Sequence, residues 1–212
     1  FQIAPCFRDE DARSDRLYGE FYQLDFEMAF AEEEDVLKLG EYVFRSVFNE
    51  FGKTKLDEAP FVRLSYKESM ERFGTDKPDL RNPLEIIDLT DVFEETTFRP
   101  FRGVPVKGIV VEDIASKSNS WFNELGDFAK SIGMNAGVGY FKVNDDMSFV
   151  GPIDKFLTDD EREDLIKVGN LKPQSVIFFI ADRKNAYKFA GQIRDELGRK
   201  LDLINKDEYK FC

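Results

Sequence analysis

Residues 1–30, FQIAPCFRDEDARSDRLYGEFYQLDFEMAF, read as strand, charged loop, strand. In the second strand, alternation sends Tyr22, Leu24, Phe26, Met28 and Phe30 to one face, predicted to be a core face. It sends Phe21, Gln23, Asp25 and Glu27 to the other. In the first strand Arg8 shares a face with Gln2, Ala4 and Cys6, leaving room beside its guanidinium. The connecting loop holds Asp9, Glu10, Asp11, Arg13, Asp15 and Arg16.

A guanidinium, an aromatic ring and an amide–acid pair on one face suit a nucleotide beside a small polar metabolite. Arg binds phosphate through paired N–H donors and stabilises charge that develops there. The ring can stack on a base, and the carboxylate can hold an ammonium group. Patterning alone equally allows a solvated hairpin whose polar face meets water.

At 212 residues the chain has room for one large domain or two small ones. With 22 Phe, aromatic rings are expected to dominate its cores. A net charge of −12 argues against a polybasic surface that holds nucleic acid by charge alone, though a local basic patch can sit on an acidic body. The chain has no histidine, which excludes Ser–His and Cys–His catalysis and His-ligated metals. Its two cysteines, Cys6 and Cys212, lie near opposite ends; with no disulfide framework, a reducing cytoplasm is the expected compartment. The longest apolar runs, such as residues 176–181, are too short to span a bilayer, and no signal peptide is expected ahead of the hairpin. The chain opens inside a strand pattern and closes on YKFC, another strand beginning, so an internal segment of something longer is expected.

A helix is predicted over residues 32–51, with Glu32, Glu33, Glu34 and Asp35 at its positive end and Gly52 closing it. Its stripe of Val36, Leu39, Val43, Phe44, Val47, Phe48 and Phe51 is expected to be core. Residues 61–64 suggest a short strand, and Ser65 with Glu68 a capping box before a helix ending at Gly74. TDKPDLRNP, residues 75–83, is a loop punctuated by Pro78 and Pro83. Strands are expected within residues 84–92, 104–111, 137–143, 147–150 and 175–181, the last of them buried. Helices are expected over residues 118–132, after the cap Thr158 to near Val168, and over residues 185–203 with Gly198 as an interruption. This alternation, without a glycine-rich phosphate loop, describes a compact α+β unit of roughly a hundred residues with its own core.

FRDEDARSDR, followed by GEFYQLDFE, closely resembles motif 2 of the class II aminoacyl-tRNA synthetases, in the version found in bacterial aspartyl-tRNA synthetases. RFGTDKPDLRNP, residues 72–83, is similar to the same family and comes in the right order. The resemblance implies an α+β fold. Residues 1–93 would belong to the antiparallel catalytic core, 94–198 to an inserted GAD-type domain, and 199–212 to a return into the core. It implies a parent enzyme that activates L-aspartate with ATP and transfers it to tRNA for aspartate, charging of asparagine tRNA being left open. By motif position, Arg8 bridges the ATP α-phosphate and the substrate carboxylate. Glu10, with Asp9 beside it, lies near the adenine amino group, and Phe21 stacks on adenine. Leu17 makes a backbone contact to ATP, and Gln23 and Asp25 line the aspartate pocket. The loop at 75–83 would lie close to that pocket.

Arg13 is expected to pair within its loop, while Arg16 divides evenly between pairing and reaching phosphate or tRNA. Tyr18 stands where members often carry proline, which bears on loop stiffness. The resemblance further implies a cytoplasmic homodimer, with no membrane attachment and with Mg2+ ligands outside this segment. Motif 1, the motif 3 arginine and the anticodon-binding domain are absent as well. Losing one charge-stabilising donor costs a factor of roughly a hundred or more, so the segment alone is expected to be inactive. Two other readings stand beside this one. One is a non-catalytic paralogue that binds tRNA, nucleotide or a partner. The other treats the insertion itself as an RNA- or protein-binding module, whose acidity argues against strong phosphate binding but leaves shape-based contacts open.

Overall fold

The computed structural model describes residues 1–9, 19–57, 60–135 and 137–212. They form two compact units, Phe1–Lys53 and Thr54–Cys212.

In the first unit β1 (Gln2–Phe7) pairs antiparallel with β2 (Glu20–Asp25), setting Gln2 opposite Asp25, Ala4 opposite Gln23 and Cys6 opposite Phe21. Facing residues of an antiparallel pair lie on one face, so the expected polar face is assembled by the register itself. Helix α1 (Glu33–Phe51) follows, with Glu33, Glu34 and Asp35 in its first turn. The Glu32 N–H donates to the Asp35 carboxylate at 3.1 Å, and Gly52 N–H closes the helix on the Phe48 carbonyl at 2.8 Å.

Two expectations fail in this unit. The predicted core face of the hairpin is open, with Tyr22 73% and Leu24 48% exposed, and β2 ends at Asp25 instead of running on to Phe30. The apolar stripe of α1 buries no residue. The patterns are real, but a two-stranded ribbon and one helix offer too little surface to cover each other's apolar faces.

The second unit is built on a five-stranded antiparallel sheet in the order β4-β5-β8-β6-β7. Its elements are β3 (Lys55–Leu56), α2 (Tyr66–Phe73), β4 (Ile86–Asp88), β5 (Val106–Val111), α3 (Asn119–Ser131), β6 (Gly139–Val143), β7 (Phe149–Val150), α4 (Asp159–Gly169), β8 (Val176–Ala181), α5 (Ala186–Lys200) and β9 (Glu208–Tyr209). Short 3-10 turns occupy Asp91–Phe93 and Asp154–Phe156.

Central β8, VIFFIA, is buried along its whole length. Val176, Phe178 and Ile180 join one core with Phe122 and Leu125 of α3 and Ile193 and Leu197 of α5. Ile177, Phe179 and Ala181 join another with Phe93, Phe101 and Leu165. A strand covered on both faces needs apolar residues at every position, which explains the unbroken run. The result is a layered α+β unit.

Caps set the helix starts. Thr158 Oγ1 accepts from Glu161 N–H at 3.2 Å, and the Glu161 carboxylate accepts from Thr158 N–H at 2.8 Å, a complete capping box for α4. At α2 only half of the predicted box forms. Ser65 Oγ accepts from Glu68 N–H at 3.1 Å, but the Glu68 carboxylate takes Arg72 at 2.8 Å instead.

Two further predictions are corrected. Residues 61–64 form no strand; Lys55–Leu56 instead pairs in parallel with Glu208–Tyr209, and Phe61 stacks on Phe211 at 4.8 Å. Helix α5 runs unbroken through Gly198 to Lys200. A Cβ at Gly198 would lie 2.4 Å from the Asn82 side-chain nitrogen, so the glycine is there for close approach and not as a breaker. Among the described residues no helix is long and apolar enough to cross a membrane.

Candidate functional site

The first candidate is the polar face of the β1–β2 hairpin. Beyond β1, Arg8 is held by its own N–H donating to the Gly19 carbonyl at 2.8 Å, and its guanidinium carbon lies 5.1 Å from the centre of the Phe21 ring. Gln2 Nε2 donates to Asp25 Oδ2 at 3.1 Å, tying the far ends of the two strands together. The face thus carries, from one end to the other, a cation stacked on a ring, then Gln23 opposite the small Ala4, then a carboxylate oriented by an amide. At the carboxylate end, Phe1, Gln2, Asp25, Phe26 and Glu27 line an open depression of about 420 Å³.

Arg8, Phe21, Gln23 and Asp25 are therefore brought onto one face, with exposed Asp9 next to Arg8 in the chain. Glu10, Arg13, Arg16, Leu17 and Tyr18 lie outside the described residues. Gln2 is the member whose part was missed: the alternation placed it on this face, and only the register shows that it faces Asp25.

The second family-like stretch, Arg72 onward, sits in the other unit and is braced from α5. Arg194 is fully buried, yet its guanidinium donates to three backbone carbonyls: Leu84 at 2.6 Å, Asn82 at 2.8 Å and Asp79 at 3.0 Å. A fourth bond reaches the Asp195 carboxylate at 3.1 Å, and the Phe73 ring lies 4.9 Å from the guanidinium. Burial lowers the Arg194 pKa against the pull of Asp195 and Asp79, but an arginine remains charged. Asn82 fixes its own turn by accepting the Leu84 N–H at 3.2 Å.

The start of the loop is set by a glycine contact. A Cβ at Gly191 would meet the carbonyl oxygens of Gly74 and Phe73 at 2.8 Å, so α2 and α5 pack backbone to backbone. At the loop's edge Arg72 makes bonds of 3.0 and 2.6 Å to Glu85 and one of 2.8 Å to Glu68, which raise its pKa. Arg81 grips both oxygens of Asp79 at 2.9 and 2.7 Å, and this hydrogen bonding holds the Asp79 carboxyl below the usual range. Asp57, Val62, Leu64, Arg72, Leu80 and Lys210 are among the residues lining a cleft of about 380 Å³ beside the loop.

Arg194 was not singled out from the sequence. Its signal is a charged residue beside the apolar stripe of Ala190, Ile193 and Leu197, where only a fully satisfied guanidinium can be buried.

Among the described residues no group of three or more His, Cys, Asp or Glu side chains could hold a metal ion.

The chain was compared with known proteins. Residues 1–211 match the family model for tRNA synthetases class II (D, K and N). The whole chain is 45% identical to the aspartate–tRNA(Asp/Asn) ligase of Rickettsia bellii, covering 36% of that protein. It is 47% identical to the enzyme of the same name from Ehrlichia chaffeensis, covering 37%, and 43% identical to that of Anaplasma phagocytophilum, covering 36%. The chain thus spans about a third of the length of these relatives. Since the family match runs through both units, from the hairpin to the final strand, the chain belongs to the class II tRNA synthetases (D, K and N).

Proposed function

We propose that this chain is the central segment of an aspartate–tRNA ligase, and that the β1–β2 face carries ATP and aspartate. The observation that supports this most is the register that gathers Arg8, Phe21, Gln23 and Asp25 onto one face.

In the activation step a carboxylate oxygen of aspartate attacks the α-phosphorus of ATP and pyrophosphate leaves. Arg8 donates to the α-phosphate and the attacking carboxylate, offsetting their mutual repulsion and the charge that builds on phosphorus. Phe21 stacks on adenine, while Asp9 and Glu10 flank its amino group and the backbone of Leu17 makes a further ATP contact. Gln23 and Asp25 hold the amino acid. With Oδ2 of Asp25 occupied by Gln2, Oδ1 is left to accept from the substrate ammonium. In transfer, a hydroxyl of the terminal adenosine of tRNA attacks the activated carbonyl and AMP leaves. Mg2+ would accompany ATP through ligands outside these residues, and the roles given are those of the side chains alone.

The relatives' names specify tRNA for both aspartate and asparagine. We extend that breadth to the full-length protein. In the domain division, residues 94–198 are the insertion, and β4, just before it, serves as an edge strand of the insertion's sheet.

The test is ATP–pyrophosphate exchange by the full-length protein with aspartate, asparagine and lysine offered separately. Exchange driven by aspartate alone supports the reading. Exchange driven by lysine or asparagine would move the protein to another branch of its family, and no exchange with any of the three would contradict the assignment.

A further inference from the structure

Gln2 opens β1 and Asp25 closes β2, so this facing pair ends the ribbon with no strand pair beyond it. Among the described residues, the 3.1 Å bond from Gln2 Nε2 is the sole hydrogen bond to the Asp25 carboxylate, and no cation pairs with it. The other amide on this face, Gln23, stands opposite Ala4, whose methyl group offers it no hydrogen bond. Of the two side chains assigned to the amino acid, only Asp25 is therefore held across the strands.

The chemistry of residue 2 decides how much charge Asp25 keeps. A lysine or arginine there would form a cross-strand ion pair, which strengthens a ribbon but neutralises the carboxylate. A glutamate would repel it. The amide of glutamine donates a hydrogen bond and carries no charge. It fixes Oδ2 and leaves both the negative charge and Oδ1 to a cation from outside.

We propose that Gln2 is a positioning residue for amino-acid recognition: it holds Asp25 by a neutral donor, so that the undiminished carboxylate meets the substrate ammonium. Gln2 acts through Asp25 and touches neither substrate. The inference rests on the ligase reading, which supplies the ammonium.

A structural tie and a positioning role predict opposite effects of a lysine at this position. If the bond only fastens the ribbon, Gln2→Lys fastens it at least as well, through an ion pair. If the bond keeps Asp25 charged for the substrate, Gln2→Lys supplies a competing ammonium and is worse than losing the donor altogether.

The test is ATP–pyrophosphate exchange by the full-length protein, with the KM for aspartate and the KM for ATP measured separately. Gln2→Met keeps the side-chain length and removes the donor. It should raise the KM for aspartate about tenfold and leave that for ATP within about twofold. Gln2→Lys should raise the KM for aspartate at least about thirtyfold. In Gln2→Glu two carboxylates face each other, and a proton shared between them restores a donor. Its defect should therefore be greatest near about pH 8 and shrink toward about pH 6. Glu27, which lines the same depression, adds to the repulsion in that variant, and Arg8 stands at the opposite end of the face. Gln2 is exposed, so none of the three substitutions opens a cavity.

A KM for aspartate within about twofold of the unaltered value in Gln2→Met, or one restored to that value by Gln2→Lys, would overturn the inference and leave the ligase reading standing. An equal rise in both KM values would overturn it in the same way, since the whole hairpin would then have moved. No aspartate-dependent exchange by the unaltered protein would overturn both.

Discussion

Arg194 and Asn82 hold each other's backbones: the Arg194 guanidinium donates to the Asn82 carbonyl at 2.8 Å, and the Asn82 amide donates to the Arg194 carbonyl at 3.0 Å. One side chain comes from α5 and the other from the loop after α2, so this reciprocal pair ties the family-like stretch to the sheet unit.

Arg194→Met should therefore destabilise the unit strongly. It leaves the carbonyls of Asp79, Asn82 and Leu84 without the guanidinium. At about 1–3 kcal/mol for each buried group left unsatisfied, a loss of ~4 kcal/mol is expected. Arg194→Lys should recover only part of it, since an ammonium cannot reproduce the planar fork. The single tryptophan, Trp121, lies against the core shared by α3 and α5, so urea unfolding followed by its fluorescence reads this unit. A loss under about 1 kcal/mol for Arg194→Met would show that the brace is not needed.

The glycine contact between α2 and α5 makes a paired prediction. Gly191→Ala puts a methyl group 2.8 Å from two carbonyl oxygens, and because backbone must move to admit it, a loss of ~1–3 kcal/mol is expected. Gly126→Ala in α3 meets nothing within 4 Å and should gain up to about 1 kcal/mol from helix propensity. The two midpoints should move in opposite directions in the same urea titration.

Lys107 is 3% exposed, with its ammonium 2.5 Å from Asp88 and 4.1 Å from the centre of the Tyr187 ring. Burial pushes the Asp88 carboxyl up, but hydrogen bonds from Lys107 and Thr90 outweigh it and hold the group below the usual range. A carboxyl depressed in the folded state contributes stability above its unfolded value of ~3.9, and that stability is lost as pH falls through the folded value. Lys107→Met should raise the folded Asp88 pKa toward its unfolded value, so the part of the acid decline in urea midpoint that Asp88 contributes should shrink. An unchanged acid limb between pH 3 and 7 would mean that the pair does not set it.

Much of this was legible in the sequence because side-chain period and backbone geometry are tied together. The alternation in FYQLDFE foretold which residues share the hairpin face, and the apolar run at residues 176–181 foretold a strand buried on both sides. Other features depended on partners that a linear pattern does not show. Residues 61–64 have strand-forming side chains but no neighbouring edge, whereas the charged Lys55 pairs with Glu208. Gly198 looked like a helix breaker because only the fold brings Asn82 against it. The exposed stripe of α1 shows the same limit: its spacing specifies an apolar face, and what covers that face is a separate matter. In the candidate site, Phe21, Gln23 and Asp25 followed from alternation, while the Gln2–Asp25 bond required the register.

On the proposed function, Phe21→Ala should raise the KM for ATP about tenfold and change kcat less, since a stacked ring contributes ~1–3 kcal/mol to holding a base. Equal KM values for ATP would remove adenine from this face.

The most direct measurement is aspartate-dependent ATP–pyrophosphate exchange by the full-length protein carrying Arg8→Ala. If Arg8 stabilises charge at the α-phosphate, kcat should fall by about a hundredfold to a thousandfold. Exchange within a few-fold of the unaltered protein would contradict the placement of the reacting phosphate at this hairpin.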